Sequence, residues 1–190
     1  MVDRKRLSAA DWTKAALEAL AAGGVGAVAV EPLAARLGAT KGSFYWHFSG
    51  RDTLLEAALA LWERTDTEDV ITLVDAEPDA RERLRTLLTG AIRGARRGTA
   101  GAVELALQPS ATHPLVGPVL ARVTRRRLGY LATTFTELGF TPDHARQRAL
   151  LAYTAYLGQT QLIQAGLAPT RKGDLRRYVN RAVRILTAPE

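Results

Sequence analysis

The sequence predicts an all-α protein. A small N-terminal three-helix head with a helix-turn-helix is joined by a long helix to a larger helical body, about nine helices in total. Three observations predict this. Apolar residues recur three and four positions apart through most of the chain. Ser, Thr and Asp stand where new helices need an N-terminal cap, and Gly and Pro stand where helices end. No stretch alternates polar and apolar residues as a strand does, and no internal repeat is present.

Ser8-Ala-Ala-Asp11 is a capping box and opens the first helix, over about 8–22. Ala9, Trp12, Ala16 and Leu20 form its apolar stripe, and Gly23-Gly24 end it. The following Gly24-Val-Gly26-Ala-Val-Ala29 has the spelling of a dinucleotide-binding loop. It follows a helix instead of a strand, so the glycines read as a turn. The second helix starts near Val30, with Pro32 tolerated in its first turn. Ala29 cannot cap it, which costs about 1 kcal/mol locally.

Leu33, Ala34 and Leu37 share one face of this helix, and Gly38 ends it. Thr40 then caps a third helix on which Phe44 and Phe48 mark the buried side. Two helices around a tight turn containing Gly form a helix-turn-helix. At roughly 100° per residue, Gly42 and Trp46 fall opposite Phe44, with Lys41, Ser43, Tyr45 and His47 on the flanks. An outward Trp beside an outward Gly suits a surface that approaches phosphates and base edges. A helical corner with Trp46 packed on another domain is the plainer alternative.

Ala34, Gly38, the run Lys41-Gly42-Ser43-Phe44-Tyr45-Trp46-His47-Phe48, and Arg51 followed by Leu54-Leu55 resemble the DNA-binding head of the TetR family of bacterial transcriptional regulators. The resemblance covers about residues 8–60. It implies that the helix over 41–47 enters the major groove, with Lys41, Gly42, Ser43, Tyr45, Trp46 and His47 as DNA contacts and Arg51 meeting a phosphate. Glu31 stands where other members can carry a base-contacting cation, and an acid there repels phosphate.

Ser49-Gly-Arg-Asp52 reads as a capping box that opens a long helix from Gly50 to about Val70, followed by a loop over Asp75–Asp79. The expected division is a helix-turn-helix DNA-binding domain over 1–52 and a ligand-binding and dimerisation domain over 53–190. In the body the periodicity predicts helices over about 80–97, 102–108 and 115–138. A further helix opens at Thr141-Pro142-Asp143 and runs to about 165, and a last one starts near Asp174.

Ala149 to Thr170 contains 22 residues without a charge. Gln159, Thr160, Gln161 and Gln164 make it a poor membrane span. A helix apolar on nearly all sides is buried on nearly all sides. Ala149, Ala152, Tyr156 and Ile163 would meet the body core, and Leu151, Ala155, Gly158 and Leu162 would meet a partner chain. The resemblance implies the same arrangement, since the last two helices of TetR proteins pair into a four-helix bundle. Val179 and Val183 are the candidates from the last helix.

The resemblance also implies a ligand cavity in the body. Aromatic and polar residues on its apolar stripes are the candidates: Trp62, Glu104, Gln108, His113, Tyr130, Tyr153, Tyr156 and Gln159. For each alone, ordinary packing is the competing explanation, and Glu104 could instead pair with a nearby Arg.

Composition limits the other classes. The chain has no cysteine, which excludes disulfides, Cys-ligated metal and thiol nucleophiles. Its three histidines sit in no HExxH motif and no GxSxG is present, so no catalytic role, metal site or cofactor is expected. The net charge of +7 permits nucleic-acid binding, yet most of the excess lies beyond residue 52. The Arg runs at 125–127 and 171–177 read as solvated helix faces.

The expected function is a cytoplasmic, ligand-responsive transcriptional regulator, a repressor that binds double-stranded operator DNA as a homodimer. A small molecule would release it, and no membrane would be involved. A sequence-tolerant DNA-binding protein and a small all-helical enzyme are the alternatives.

Overall fold

The computed structural model describes residues 7–96, 101–167 and 172–189. Residues 1–6, 97–100, 168–171 and 190 lie outside them, and with them the last residue of the helix expected over 80–97 and the start of the basic run at 171–177. The described residues are helical, with no strand among them. In chain order the helices are α1 (Ala9–Gly23), α2 (Val30–Arg36), α3 (Lys41–Tyr45), α4 (51–75), α5 (Ala80–Arg96), α6 (Ala102–Leu107), α7 (Val116–Glu137), α8 (Pro142–Gln164) and α9 (Lys172–Leu186).

Most of the predicted caps form. The Ser8 hydroxyl accepts from the Asp11 amide, and the Asp11 carboxylate accepts in return from the Ser8 amide at 2.8 Å. Thr40 accepts from the Ser43 amide, and Thr141 from the His144 amide. Ala29 makes no side-chain cap for α2, as expected. The α4 cap differs from its prediction by one residue. Gly50 is the N-cap, and the Thr53 hydroxyl accepts from the Gly50 amide and donates to its carbonyl. Thr53 serves because its hydroxyl can both donate and accept.

Helix α4 is also longer than predicted. It runs as Arg51–Glu63, then a π-helical turn over Arg64–Glu68, then Asp69–Asp75. Two acidic residues of its second half are partners for arginines of α7. Glu63 accepts from Arg122 at 2.6 Å, and Glu68 pairs with Arg126 at 3.2 Å.

Two cores form. The first contains Trp12, Leu20, Phe44, Leu54, Leu55, Leu59 and Trp62, and it continues into Val103 and Leu107 of α6 and Val116, Leu120 and Val123 of α7. It therefore crosses the expected boundary at residue 52 without interruption. Gly24 fixes this junction. Its φ of 67° favours glycine, and a Cβ there would lie 2.9 Å from the Ala106 carbonyl oxygen. The second core joins Leu84 and Ile92 of α5, Phe135 of α7, Ala145, Ala149 and Ala152 of α8, and Val179 and Val183 of α9. Among the described residues no helix is long and apolar enough to cross a membrane.

Candidate nucleic-acid interface and body cavity

The short α3 is held from below. Phe44 is fully buried, edge-on to Trp12 at 5.3 Å and stacked on Phe48 at 5.6 Å. This anchoring turns the opposite side outward. Trp46 is 79% exposed and Tyr45 56%, beside exposed Lys41 and Gly42. So large an apolar ring in water is unusual on a helix end unless something covers it.

Glu31 and Lys41 explain each other. The Lys41 ammonium donates to the Glu31 carboxylate at 2.6 Å across the turn. This hydrogen bond and its charge hold the Glu31 carboxyl below its ordinary range and the Lys41 amine above its own. The acid on this surface therefore comes with its own counter-ion. The His47 ring meets the Leu7 carbonyl through Nε2 at 2.9 Å, which ties the helix end to the N-terminal segment.

The Arg51 Nε donates to the Val28 carbonyl and one terminal nitrogen to the Val25 carbonyl, each at 2.7 Å. The guanidinium thus buckles the loop between α1 and α2 to the start of α4. It satisfies two loop carbonyls there.

The body encloses a cavity of about 340 Å³ between α4, α5, α7 and α8. Val70, Ile71, Val74, Leu84, Leu87, Leu88 and Leu131 give it apolar walls. One end is polar, with Asp66, Arg127, Tyr153 and Tyr156, and Tyr130 also lines the wall, with its hydroxyl on Asp75. Arg127 organises that end. It pairs with the fully buried Glu104 at 2.6 Å and donates to the Thr67 hydroxyl and the Asp66 carbonyl, each at 3.0 Å. Its guanidinium also lies 5.7 Å from the centre of the Trp62 ring. Burial works against its charge, but Glu104, the tyrosines and Asp66 outweigh this and hold it above its ordinary value. The side chain reaching into α4 coincides with the π turn, where the helix ladder is opened.

The tyrosines differ. Tyr153 donates to Glu104, with the Thr124 hydroxyl 3.3 Å away, and burial pushes its phenol up to about 12. Tyr130 donates to Asp75 at 2.8 Å and is likewise raised to about 12 by burial. Burial raises Tyr156 as well. Asp66 is raised by burial too, and among the described residues its carboxylate accepts from the Thr65 hydroxyl alone, at 3.1 Å.

Residues 13–58 match the family described as bacterial regulatory proteins, tetR family. The head is thus of the tetR type. Among curated proteins none matches it. The whole chain has the fold of solved tetR regulators. A Rhodococcus protein assigned to the family is 22% identical, with 99% of this chain and 100% of that one covered and a TM-score of 0.72. AibR, solved with isovaleryl coenzyme A and operator DNA, is 19% identical over 96% and 99% of the two chains, with a TM-score of 0.70. FadR from Bacillus subtilis, solved with stearoyl-CoA, is 17% identical over 95% and 98%, with a TM-score of 0.71.

On this tetR fold the expected ligand residues separate into groups. Tyr130, Tyr153 and Tyr156 line the cavity. Glu104 closes it from behind as the partner of Arg127. Trp62 does not reach it, because the indole is fully buried in the first core. Gln108 and His113 lie in the connection from α6 to α7, away from the cavity, where the His113 ring accepts from the Leu115 amide. Gln159 borders a much smaller space, about 30 Å³, between α5, α8 and α9. Asp66 and Arg127 were missed. Arg127 had a legible signal: it sits four residues after the buried Val123 and four before Leu131, on the inward stripe of α7.

The outer face of α8 is open, with Leu151 60% exposed and Ala155, Gly158 and Leu162 exposed beside it. Val179 and Val183 do not join that face. Both are buried in the chain's own second core, because α9 turns this stripe toward α5. Tyr178 and Ile185 are the large apolar residues that α9 exposes.

Proposed function

We propose that the chain is a ligand-responsive repressor that binds a palindromic operator as a homodimer and is released by a small molecule in the body cavity. The observation that carries the proposal is the outward set on α3. Lys41, Gly42, Ser43, Tyr45 and Trp46 surround a helix whose only buried residue is Phe44. Lys41 and the hydroxyls suit phosphate and base edges, and Gly42 leaves room for close approach. His47 serves this surface by fixing the helix end. The exposed α8 stripe of Leu151, Ala155, Gly158 and Leu162 supports the dimer, since small residues let two helices approach closely. Two heads would then meet half-sites about 34–36 Å apart.

The solved complex of AibR with isovaleryl coenzyme A and operator DNA supports a joint role for DNA and effector on this fold. The effector acts only if it binds the DNA-incompetent state better than the competent one. The test is titration of labelled DNA from the region flanking the gene against random duplex, followed by fluorescence anisotropy across a salt series. Tighter, less salt-dependent binding to the flanking DNA is expected. Equal affinity for both duplexes at every salt concentration would overturn the specific regulator and leave a sequence-tolerant DNA binder.

A further inference from the structure

The cavity is apolar along most of its wall, so the class of its ligand is decided at its polar end. Two acids and one cation meet there: Glu104, Asp66 and Arg127. Arg127 and Glu104 are already engaged. The guanidinium holds Glu104, Thr67 and the Asp66 carbonyl, and Glu104 also accepts from Tyr153. Arg127 also attracts the Asp66 carboxylate, but two acids share this one cation, so the cluster is one positive charge short. Asp66 takes part in no ion pair among the described residues, and the Thr65 hydroxyl is the donor its carboxylate has. It lies on the π turn that faces the cavity, with Tyr130, Tyr153 and Tyr156 on the facing helices, and the rings of the last two are 6.0 Å apart.

A carboxylate in a cluster one positive charge short, beside tyrosine rings, is the chemistry that receives an organic cation. The carboxylate gives a charge-assisted hydrogen bond, and the ring faces attract the same positive charge. An anionic group would meet two acids, Asp66 and Glu104, against one cation, and each nitrogen of Arg127 already donates to a protein oxygen. A volume of about 340 Å³ falls at the small end of ligand sites, suited to a compact apolar body carrying one charge. The geometry points to a cavity that selects a small amphipathic ammonium ligand, with Asp66 as its counter-ion and Tyr153 and Tyr156 beside the charge. This rests on the reading of the cavity as the effector site. It adds the sign of the effector's charge and moves the selecting carboxylate from Glu104, which the sequence singled out, to Asp66.

The test uses three probes of one shape, octylammonium, octanol and octanoate, titrated calorimetrically into the full chain without DNA. Octylammonium should bind best and octanoate worst. Asp66→Asn keeps the side chain's size and should weaken octylammonium by about tenfold or more, while octanol binding stays within about twofold and reports an intact cavity. Octanol binding as tightly as octylammonium, or octanoate binding best, would overturn the assignment and leave the cavity as an effector site. Binding of none of the three would overturn both the assignment and the effector reading beneath it. An unchanged preference for octylammonium in Asp66→Asn would remove Asp66 as the selecting group.

Discussion

Replacing Arg127 tests whether the polar end of the cavity is a structural unit. Glu104 is fully buried and its charged partner is Arg127, whose side chain is only 13% exposed. Arg127→Met keeps most of the stem that packs near Trp62 but removes every donor. It leaves the Glu104 carboxylate with the Tyr153 hydroxyl alone, and it strips donors from Thr67 and the Asp66 carbonyl. Breaking a buried pair by deleting one partner costs about 3–5 kcal/mol. For a chain of this size that lowers the melting temperature by about 6–20 °C. Glu104→Gln in the same chain removes the stranded charge, so the double variant should recover to within about 1–2 kcal/mol of the parent. Urea unfolding followed by circular dichroism measures all three proteins. Protein concentration must be held fixed, because an associating chain gains stability with concentration. A double variant no more stable than Arg127→Met would refute the reasoning, since the cost would then come from lost packing and not from an unpaired charge.

Three further outcomes follow from the geometry. Asp66→Asn should stabilise the protein at neutral pH. Burial raises the native Asp66 carboxyl, so folding favours its protonated form, and the penalty appears as pH rises through the native value. The gain in urea midpoint should therefore shrink as pH falls through the native value toward the ordinary aspartate range, where it vanishes, and a gain that grows in acid would contradict the burial of this group. Arg51→Ala should destabilise the fold by about 2–4 kcal/mol through two lost hydrogen bonds from a charged donor; unchanged stability with lost operator binding would return Arg51 to the phosphate role. Trp46→Ala should leave stability within about 0.5 kcal/mol while abolishing operator binding, because the ring is 79% exposed.

The head was more legible in the sequence than the body, and the reason lies in the range of the interactions. Ser8 with Asp11, Thr40 with Ser43, and Phe44 with Phe48 act within four residues, so spacing alone reveals them. Helix positions in the body were legible for the same reason. The polar end of the cavity joins Asp66, Glu104, Arg127 and Tyr153 from four helices, and no local pattern announces such a meeting. Arg127 was hidden by its neighbours, since Arg125 and Arg126 are exposed and the run reads as one charged surface. The loop contacts of Arg51 were not legible because a basic residue at a helix start fits a phosphate as readily as it fits the carbonyls of a loop twenty-odd residues earlier. Val179 and Val183 show the same limit: apolar spacing identifies a buried stripe but not which surface buries it.

The uninterrupted first core has a practical consequence for recombining regulators. A chimera cut at residue 52 would separate Trp12, Leu20 and Phe44 from Leu54, Leu59 and Trp62, and would meet the recipient with the wrong α6 beneath Gly24. The transplantable unit is discontinuous in sequence. It comprises the first 60 or so residues together with the inward faces of Ala102–Leu107 and the first turns of α7. A donor specificity carried on α3 would be inherited intact only when that inner lining travels with it.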